Sequence, residues 1–448
     1  MLRDAWTLAI KTLVLIELNR MGERLALTKT AKQLNIRDSK AIGLAHRLVS
    51  ETVRKKNFID FLLNLVLSPR TLNDLKVSTR AFLRLYVHET KFIDRNLEMA
   101  IRIVRLGRAI LGWWKLKDVE EVLGEILSIN PKKVIQGLEE TEKVGLQTYH
   151  PTWFVKYSFR LLGRGEAIKF LEKSANVSSI YVRLNTLKAS QETILKSIQK
   201  EKVILEKVPQ LKHAYRLILT SRPLTRTESF RKGLFYIQDK ASCLATEIAN
   251  PKSGTTVLDV CAAPGSKTTY LAQLMDNSGE IISLDYSKRR IRVWKREKER
   301  MGVKTVHPLI ADARTHLPLN ISADFVILDP PCTSTGTFGK TPDAKWRLTK
   351  RSILGMSRIQ AEMLKRCSEH VKAGGFLVYS TCSITVEENE MVIEKFLKLH
   401  PEFSLTESKP RIGLPGLRGL TKCQRLYPHI HECNGFFVAK LKKENHQF

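Results

Sequence analysis

The chain has 448 residues, a formal net charge of +30 and a pI near 9.9. That length suits two or three domains, and the charge favours a polyanionic partner such as nucleic acid. The alternative explanation of the positive charge is a generally basic proteome or a thermophile surface. No apolar run reaches the length of a membrane span, and seven scattered cysteines without a CxxC pair argue against disulfides or zinc. We therefore expect a monomeric cytoplasmic protein with no metal.

Residues 1–148 are predicted to form an all-α domain of five to eight helices. Apolar residues recur there at three- and four-residue steps, as in Ala5, Leu8, Ala9 and Leu13. No pattern in this part indicates chemistry of its own. Its expected role is therefore RNA binding or scaffolding.

Residues 149–235 are predicted to form a small, basic α+β module. Residues 151–250 carry 18 lysines and arginines against eight acidic residues, the greatest charge density in the chain. A strand is expected at 180–184, a helix at 190–200, and strands near 203–208 and 214–219. Aromatic side chains among these charges suit RNA binding by stacking, although any one of them is equally expected in the core. These aromatics are Tyr181, Tyr215, Phe230 and Phe235.

Residues 236–448 alternate strands and helices, as in a doubly wound parallel sheet, and form a Rossmann-like α/β domain in this prediction. The predicted strands are 255–260, 281–285, 305–310, 324–329, 375–381 and 435–441. The predicted helices are 238–249, 267–276, 287–301, 351–372 and 385–398.

Polar or reactive residues follow these strands, and ligands of open α/β sheets bind outside the carboxyl ends of the strands. The first strand leads into a loop of small residues in which Gly265 permits a tight turn. Asp285 comes 26 residues after Asp259, near the position of a ribose-binding acid, and Asp312 could accept a bond from an adenine amino group. The loop lacks GxGxxG and a Walker pattern, so S-adenosylmethionine is favoured over NAD and ATP.

Two cysteines end strand-like runs, Cys332 in Asp329-Pro-Pro-Cys332 and Cys382 in Tyr379-Ser-Thr-Cys382. Carbon 5 of cytosine becomes nucleophilic only after a group adds to carbon 6, and a thiolate suits that addition. Amino-group methyltransferases carry an aromatic residue after the two prolines, so Cys332 disfavours that activity. Buried structural cysteines are the ordinary alternative.

The chain resembles the RNA (cytosine-5)-methyltransferases. The motifs that carry the resemblance are Val257–Thr269, Asp329–Cys332 with Thr335–Thr337, Pro342–Trp346, Tyr379–Ile384 and Glu387–Glu390. The full layout is similar to the bacterial Sun or RsmB-like type, whose helical N-terminal domain resembles NusB. The segment Pro331–Gly336 departs from the bacterial A-P-C-S-G-T-G pattern, which has a second glycine, and this departure concerns the shape of the loop.

The resemblance implies roles for single residues. Cys382 would attack carbon 6, Cys332 would assist loss of the carbon 5 proton and release of the product, and Asp329 would hold the cytosine edge. Arg290 and Lys267 would join the cofactor site. The complete set implied to bind S-adenosylmethionine is Cys261, Ala262, Ala263, Pro264, Gly265, Ser266, Lys267, Asp285, Arg290, Asp312 and Asp329.

The expected function is methyl transfer to carbon 5 of a cytosine in RNA through a covalent cysteine–cytosine adduct. Ribosomal RNA is favoured over tRNA because of the helical N-terminal domain. The alternatives are a tRNA cytosine-5 methyltransferase and, less favoured, a non-catalytic RNA-binding assembly factor.

Overall fold

The structure is a computed structural model that describes residues 1–93, 95–315, 317 and 319–445. Short 3₁₀ turns connect several of its helices. Its α-helices are α1 (Leu2–Asn19), α2 (Glu23–Gln33), α3 (Ser39–Arg54), α4 (Lys56–Leu67), α5 (Val77–Val87), α6 (Leu97–Leu111), α7 (Glu120–Ser128), α8 (Glu140–Gln147), α9 (Thr152–Leu162), α10 (Arg164–Ser174), α11 (Gln191–Lys200), α12 (Glu228–Arg231), α13 (Lys240–Ala249), α14 (Ser266–Leu274), α15 (Lys288–Met301), α16 (Ala344–Arg347), α17 (Lys350–Ser368), α18 (Glu390–Leu399) and α19 (Pro428–His431).

The strands all lie in the second half of the chain or close to its middle. Every strand predicted from the sequence is present within a few residues of its expected bounds. The strands are β1 (Tyr181–Leu184), β2 (Val203–Lys207), β3 (Ala214–Thr220), β4 (Phe235–Ile237), β5 (Thr256–Val260), β6 (Glu280–Asp285), β7 (Val306–Ile310), β8 (Ala323–Leu328), β9 (Val371–Thr381), β10 (Phe403–Thr406), β11 (Leu414–Pro415), β12 (Gln424–Leu426) and β13 (Phe436–Lys443).

The chain forms two compact units. Unit 1 comprises Met1–Asn176 and Phe338–Arg347, and unit 2 comprises Val177–Thr337 and Leu348–Phe448. Helices α1–α8 fall within the described part of residues 1–148, which confirms the all-α prediction for this region. Their apolar faces share one core, in which Leu8, Leu62 and Phe82 have no exposed surface. Burial of these faces is the main force that holds such helices together.

A segment from the C-terminal half of the sequence, Phe338–Arg347, belongs to unit 1. The Lys345 ammonium donates hydrogen bonds to the carbonyl oxygens of Tyr149, at 2.6 Å, and Arg54, at 3.2 Å. The Trp346 indole donates to the carbonyl of Val53 at 2.6 Å. Val53 and Arg54 are the last residues of α3, whose final carbonyls have no partner within the helix. The segment therefore caps the C-terminus of α3.

Unit 2 contains two sheets. The smaller has the order β2-β3-β1-β4 with antiparallel pairs, and it belongs to the basic module. The larger has the order β11-β12-β13-β9-β8-β5-β6-β7, and β10 pairs with β13. Five neighbouring strands, β7, β6, β5, β8 and β9, are parallel, as a Rossmann-like fold requires. Their carboxyl ends therefore lie along one edge.

The predicted parallel sheet continues into antiparallel strands at the β13 side. Strand β13 runs antiparallel to β9 and to β12, and β10–β12 were not predicted. These three strands are short and lie in a segment rich in prolines and glycines, so period-2 patterning is weak there. Helix α18 begins at Glu390 rather than at 385, because the preceding side chains bond within a loop. No helix among the described residues is long and apolar enough to cross a membrane.

Candidate active site

A pocket of about 530 Å³ opens at the carboxyl ends of the five parallel strands of unit 2. Residues that immediately follow each strand contribute to its wall, as expected for an open α/β sheet. Of the residues predicted for the site, Gly265 is the one that does not line it. The predicted residues that do line the pocket are Cys261, Ala262, Ala263, Pro264, Ser266, Lys267, Asp285, Arg290, Asp312, Asp329, Cys332 and Cys382.

The loop between β5 and α14 depends on the absence of a side chain at Gly265. This residue has a φ of 98°, and a Cβ there would lie 1.9 Å from the Trp294 ring. The Trp294 indole is fixed by the bond it donates to Ser283 Oγ at 2.9 Å. Gly265 therefore lets the loop pack closely against Trp294, while its neighbours line the pocket. Burial raises the pKa of the Cys261 thiol, so this cysteine stays neutral.

The acids at the first two strand ends have different surroundings. Asp259 is buried and accepts a bond from Thr268 Oγ1 at 2.5 Å, and burial raises its pKa to about 7. Asp285 accepts a bond from the Ser287 amide at 2.9 Å through Oδ1. Its Oδ2 lies 3.0 Å from the Arg290 guanidinium but receives no hydrogen bond from any described residue. Asp285 thus retains a buried oxygen that can accept a bond from a ligand.

Two charged residues at the pocket rim are engaged within the protein. Asp312 accepts bonds from the side chain of Arg314, with Nη2 at 2.6 Å from Oδ2, and these bonds lower the pKa of Asp312. Arg290 donates to the carbonyl of Ala263 in the loop after β5. Asp312 therefore lines the pocket as predicted, but a cofactor amino group would have to share its carboxylate with Arg314.

The sulfur atoms of Cys332 and Cys382 lie 3.1 Å apart. The hydrogen bond between them lowers the pKa of Cys382 and, together with burial, raises the pKa of Cys332. Ser334 Oγ, 3.6 Å from the Cys382 sulfur, and the nearby Lys267 also lower the pKa of Cys382. Of the two thiols, Cys382 is therefore the one that loses its proton more readily.

Lys267 and Asp329 form an ion pair with 2.5 Å between Nζ and Oδ2. Burial disfavours the ammonium form of Lys267, but attraction to Asp329 and the hydrogen bond outweigh it, so the pKa of Lys267 is raised. Asp329 Oδ1 also accepts a bond from Ser380 Oγ at 3.3 Å. A fixed positive charge thus lies beside a carboxylate that is one-third exposed to the pocket.

Sequence reasoning gave no role to Glu388, which is fully buried next to the cysteine loops. Its carboxylate accepts bonds from the Thr333 amide at 2.8 Å, Ser383 Oγ at 2.6 Å and Thr385 Oγ1 at 2.7 Å. Gln360 donates to it as well, at 3.0 Å. One carboxylate therefore binds residues that directly follow both Cys332 and Cys382. The run Glu387–Glu390 beside hydroxyl residues was the available signal.

The cysteine loop departs from the family pattern at a position whose backbone conformation favours glycine. The second glycine of the bacterial pattern corresponds to Ser334, which adopts the left-handed conformation with a φ of 58°. Gly336 donates its amide to the Cys382 carbonyl at 2.9 Å, and a Cβ on it would lie 2.1 Å from the Gly435 oxygen. Ser334 therefore accepts backbone strain that a glycine would avoid, and its hydroxyl faces Cys382.

Comparison with known proteins agrees with this geometry. The profile described as 16S rRNA methyltransferase RsmB/F matches residues 246–442. The N-terminal domain of 16S rRNA methyltransferase RsmF matches residues 151–240, and the NusB family matches residues 3–105. The three matches follow one another along the chain in the order expected from the sequence.

Similar proteins cover the chain from end to end. A crystal structure of the protein PH0851 is 30% identical, covers 99% of both chains and superposes with a TM-score of 0.84. A probable ribosomal RNA small subunit methyltransferase B of Bacillus subtilis is 27% identical and covers 98% of each chain. A tRNA (cytosine(72)-C(5))-methyltransferase of Pyrococcus horikoshii is 40% identical over 49% of this chain and 55% of its own. The chain belongs to the RsmB/F family of S-adenosylmethionine-dependent RNA methyltransferases.

Proposed function

We propose that the protein transfers a methyl group from S-adenosylmethionine to carbon 5 of a cytosine in RNA, through a covalent bond to Cys382. The observation that carries this proposal is the cysteine pair, with its sulfurs 3.1 Å apart and its pKa values shifted in opposite directions. A thiolate beside a neutral thiol suits addition to a weak electrophile followed by elimination. Relatives named as cytosine-C5 methyltransferases of rRNA and tRNA support the reaction.

The first step is addition of the Cys382 thiolate to carbon 6 of the cytosine. This addition displaces the π electrons of the carbon 5–carbon 6 bond toward carbon 5, which would then take up the electrophilic methyl group that the bound cofactor supplies. Asp329 accepts a bond from the exocyclic amino group, and Lys267 stabilises the negative charge that spreads into the ring. The base has to leave its stack to reach both cysteines, so a flipped or unpaired cytosine is required.

The second step removes the carbon 5 proton and breaks the bond to Cys382. Once Cys382 is bound to carbon, its negative charge no longer raises the pKa of Cys332. Cys332 can then release its proton to solvent and accept the proton from carbon 5. The electrons of that carbon–hydrogen bond restore the ring double bond, and the Cys382 thiolate departs. The hydrogen bond between the two sulfurs thus sets the order in which Cys382 and Cys332 react.

The pocket fits S-adenosylmethionine by size and by its donors and acceptors. Its volume is about 530 Å³, within the range of small-molecule sites. Asp285 Oδ2, buried and without a hydrogen bond, would accept from a ribose hydroxyl, and the loop Cys261–Ser266 would hold the remainder. Asp312 and Arg290 would line the other side. When bound, the cofactor supplies an electrophilic methyl group on a sulfonium.

The decisive test compares cysteine variants in a methyl-transfer assay with labelled cofactor and bulk RNA. Cys382→Ala should abolish transfer, and Cys332→Ala should accumulate a protein–RNA adduct that survives denaturing electrophoresis. Cys367→Ala, a change to a buried core cysteine outside the pocket, is the matched control and should retain activity. Transfer by Cys382→Ala would refute the covalent mechanism.

We further propose that the target is ribosomal RNA, with tRNA as the alternative. The NusB match and the 98% coverage by an rRNA methyltransferase relative favour rRNA, whereas the tRNA enzyme matches only about half of the chain. Bisulfite sequencing of RNA from a strain without the gene should show a lost mark in rRNA. A mark lost from tRNA, with rRNA unchanged, would reverse this assignment.

The division of labour along the chain is also a proposal. Residues 1–148 would bind or scaffold RNA, residues 149–235 would hold the RNA backbone, and residues 236–448 would catalyse. We also propose a reducing compartment such as the cytoplasm, because the two pocket cysteines must stay reduced to react.

A further inference from the structure

Unit 1 exposes two adjacent tryptophans where α6 ends. Gly112, with a φ of 85°, terminates the helix, and a short 3₁₀ turn presents Trp113 and Trp114. Trp113 is 47% exposed and Trp114 is 77% exposed. Indole rings rarely stay in water without a partner, because their burial is among the most favourable of any side chain. This pair therefore has the character of a contact surface.

A cationic side chain lies over each ring. The Arg108 guanidinium is 5.1 Å from the centroid of Trp113, and the Lys117 ammonium is 4.8 Å from that of Trp114. Arg108 also pairs with Glu120, but neither Lys117 nor the exposed Arg105 forms an ion pair with any residue that the structure describes. We call Arg105, Arg108, Trp113, Trp114 and Lys117 the tryptophan patch.

The patch continues into a shallow depression of about 390 Å³. Arg105, Arg108 and Glu120 line it, together with apolar side chains such as Ile101 and Val104. Ile101 is 44% exposed. Flat aromatic rings, apolar surface and cations are the components with which proteins bind unpaired bases and their phosphates together.

The residue types around the rings favour a nucleic acid over a protein partner. Residues 95–117 contain six lysines and arginines against one acidic residue, and the acidic residues Asp118, Glu120 and Glu121 follow directly, with Glu120 paired to Arg108. Protein interfaces are enriched in tryptophan and arginine but depleted in lysine, whereas Lys115 and Lys117 flank the rings here. Cations beside stacking rings recur in single-stranded nucleic-acid sites.

We propose that the tryptophan patch binds an unpaired segment of the substrate RNA by stacking bases on Trp113 and Trp114, outside the nucleotides that enter the cysteine pocket. This inference rests on the proposed function for the identity of the substrate. It adds a second RNA contact, in the unit that has no chemistry of its own. Single-stranded RNA is the required form, because bases in a duplex offer no free face to the rings.

The test measures binding of the full-length protein to an unstructured RNA that lacks cytosine. Such an RNA cannot be methylated, so binding is separated from catalysis. The Trp113→Ala, Trp114→Ala double variant should bind it at least about 30-fold more weakly, at about 1 kcal/mol or more for each lost stacking contact, and binding of a duplex of equal length should not change. Leu18→Ala, at a 65% exposed leucine of unit 1, is the matched control and should bind normally.

Salt dependence separates stacking from charge. Lys117→Gln should lower the slope of log Kd against log salt concentration by about 0.7, whereas the double tryptophan variant should weaken binding without changing the slope. Unchanged single-strand affinity in the double variant would overturn the proposal and point to a protein as the occupant. That failure would leave cysteine-dependent methyl transfer intact, so it is distinguishable from a failure of the proposed function.

Discussion

Two lysines of this protein are almost completely buried, and their surroundings have opposite electrostatic effects. Lys267, in unit 2, pairs with the carboxylate of Asp329, and its pKa is raised. Lys345, in unit 1, donates to backbone carbonyls, and no described carboxylate forms an ion pair with it. Burial and the nearby Arg54 and Lys55 hold its pKa well below the usual 10.5.

The difference separates a charge kept for chemistry from one kept for structure. A carboxylate supplies a full opposite charge, so Lys267 stays an ammonium ion beside the reacting sulfurs. Carbonyl oxygens at the end of α3 supply only partial charges, which suffice to fix the position of Lys345. The following substitutions test whether the two lysines have these different roles.

The largest effect is expected from Lys267→Met. The change removes the cation that lowers the pKa of Cys382 and leaves Asp329 without its ion-pair partner. We expect kcat/KM for methyl transfer to fall about 100- to 1000-fold, the usual loss for a preorganised charge in an active site. The ascending limb of the pH–rate profile should also move to higher pH, because the Cys382 thiolate forms less readily.

Lys267→Arg provides the control for this variant. It keeps the positive charge but changes its shape, so the pH–rate profile should stay near that of the wild type even where kcat falls. A profile for Lys267→Met that matches the wild type would contradict the electrostatic role of this lysine.

Glu388→Gln should have a smaller effect, about 10- to 100-fold on kcat, the usual size for outer groups that orient reacting residues. The Thr333 amide bonds one carboxylate oxygen, whereas Ser383 and Thr385 bond the other, and glutamine keeps only one acceptor oxygen. The side chain of Glu388→Gln should therefore hold one cysteine loop but no longer both. Glu362→Gln, at an exposed surface ion pair on α17, is the matched control and should keep full activity.

The lower kcat of Glu388→Gln must not arise from unfolding of the protein. Circular dichroism and binding of S-adenosylmethionine should both be close to wild type in Glu388→Gln. An enzyme with normal kcat would show that the cysteine loops hold their positions without this carboxylate.

The sequence alone located the site residues that lie at the ends of strands. Asp285 and Asp329 end predicted strands, Cys332 and Cys382 come just after predicted strands, and parallel strands bring such positions to one edge. It was not sufficient for Glu388, because an acidic run before an amphipathic pattern looks like the solvated start of a helix. Only tertiary burial shows that this glutamate faces inward.

Sequence patterns also did not predict the contacts between distant parts of the chain. The segment Phe338–Arg347 caps α3 across nearly three hundred residues, and no periodicity encodes such a pairing. Asp312 lines the pocket, but Arg314, two residues away, bonds its carboxylate. Spacing located the acid but did not reveal its neighbour.

Lys345→Met should change the pH dependence of stability in unit 1. A lysine whose folded-state pKa is lowered binds fewer protons folded than unfolded between that pKa and 10.5, so stability rises with pH in this window. The wild type should therefore gain stability relative to Lys345→Met by up to about 1.4 kcal/mol per pH unit there. Hydrogen exchange of α3 amides in the full chain measures this difference.

Lys267→Met serves as the comparison, because the contribution of Lys267 to stability has the opposite pH dependence. Because the folded-state pKa of Lys267 is raised, its contribution is fully present below 10.5 and is lost only as pH rises through the higher value. A stability difference between wild type and Lys345→Met that stays flat with pH below 10.5 would show that Lys345 titrates normally.

The smallest effect is expected from Trp346→Phe, which removes the indole N–H that bonds the Val53 carbonyl at 2.6 Å. An unpaired carbonyl at a helix end costs about 1 kcal/mol, and the phenyl ring still fills most of the site. Because Lys345 bonds the next carbonyl, at Arg54, the two substitutions should not be additive. A double variant whose α3 amides lose protection by the sum of the single losses would mean that the two side chains cap α3 independently, and not as one segment.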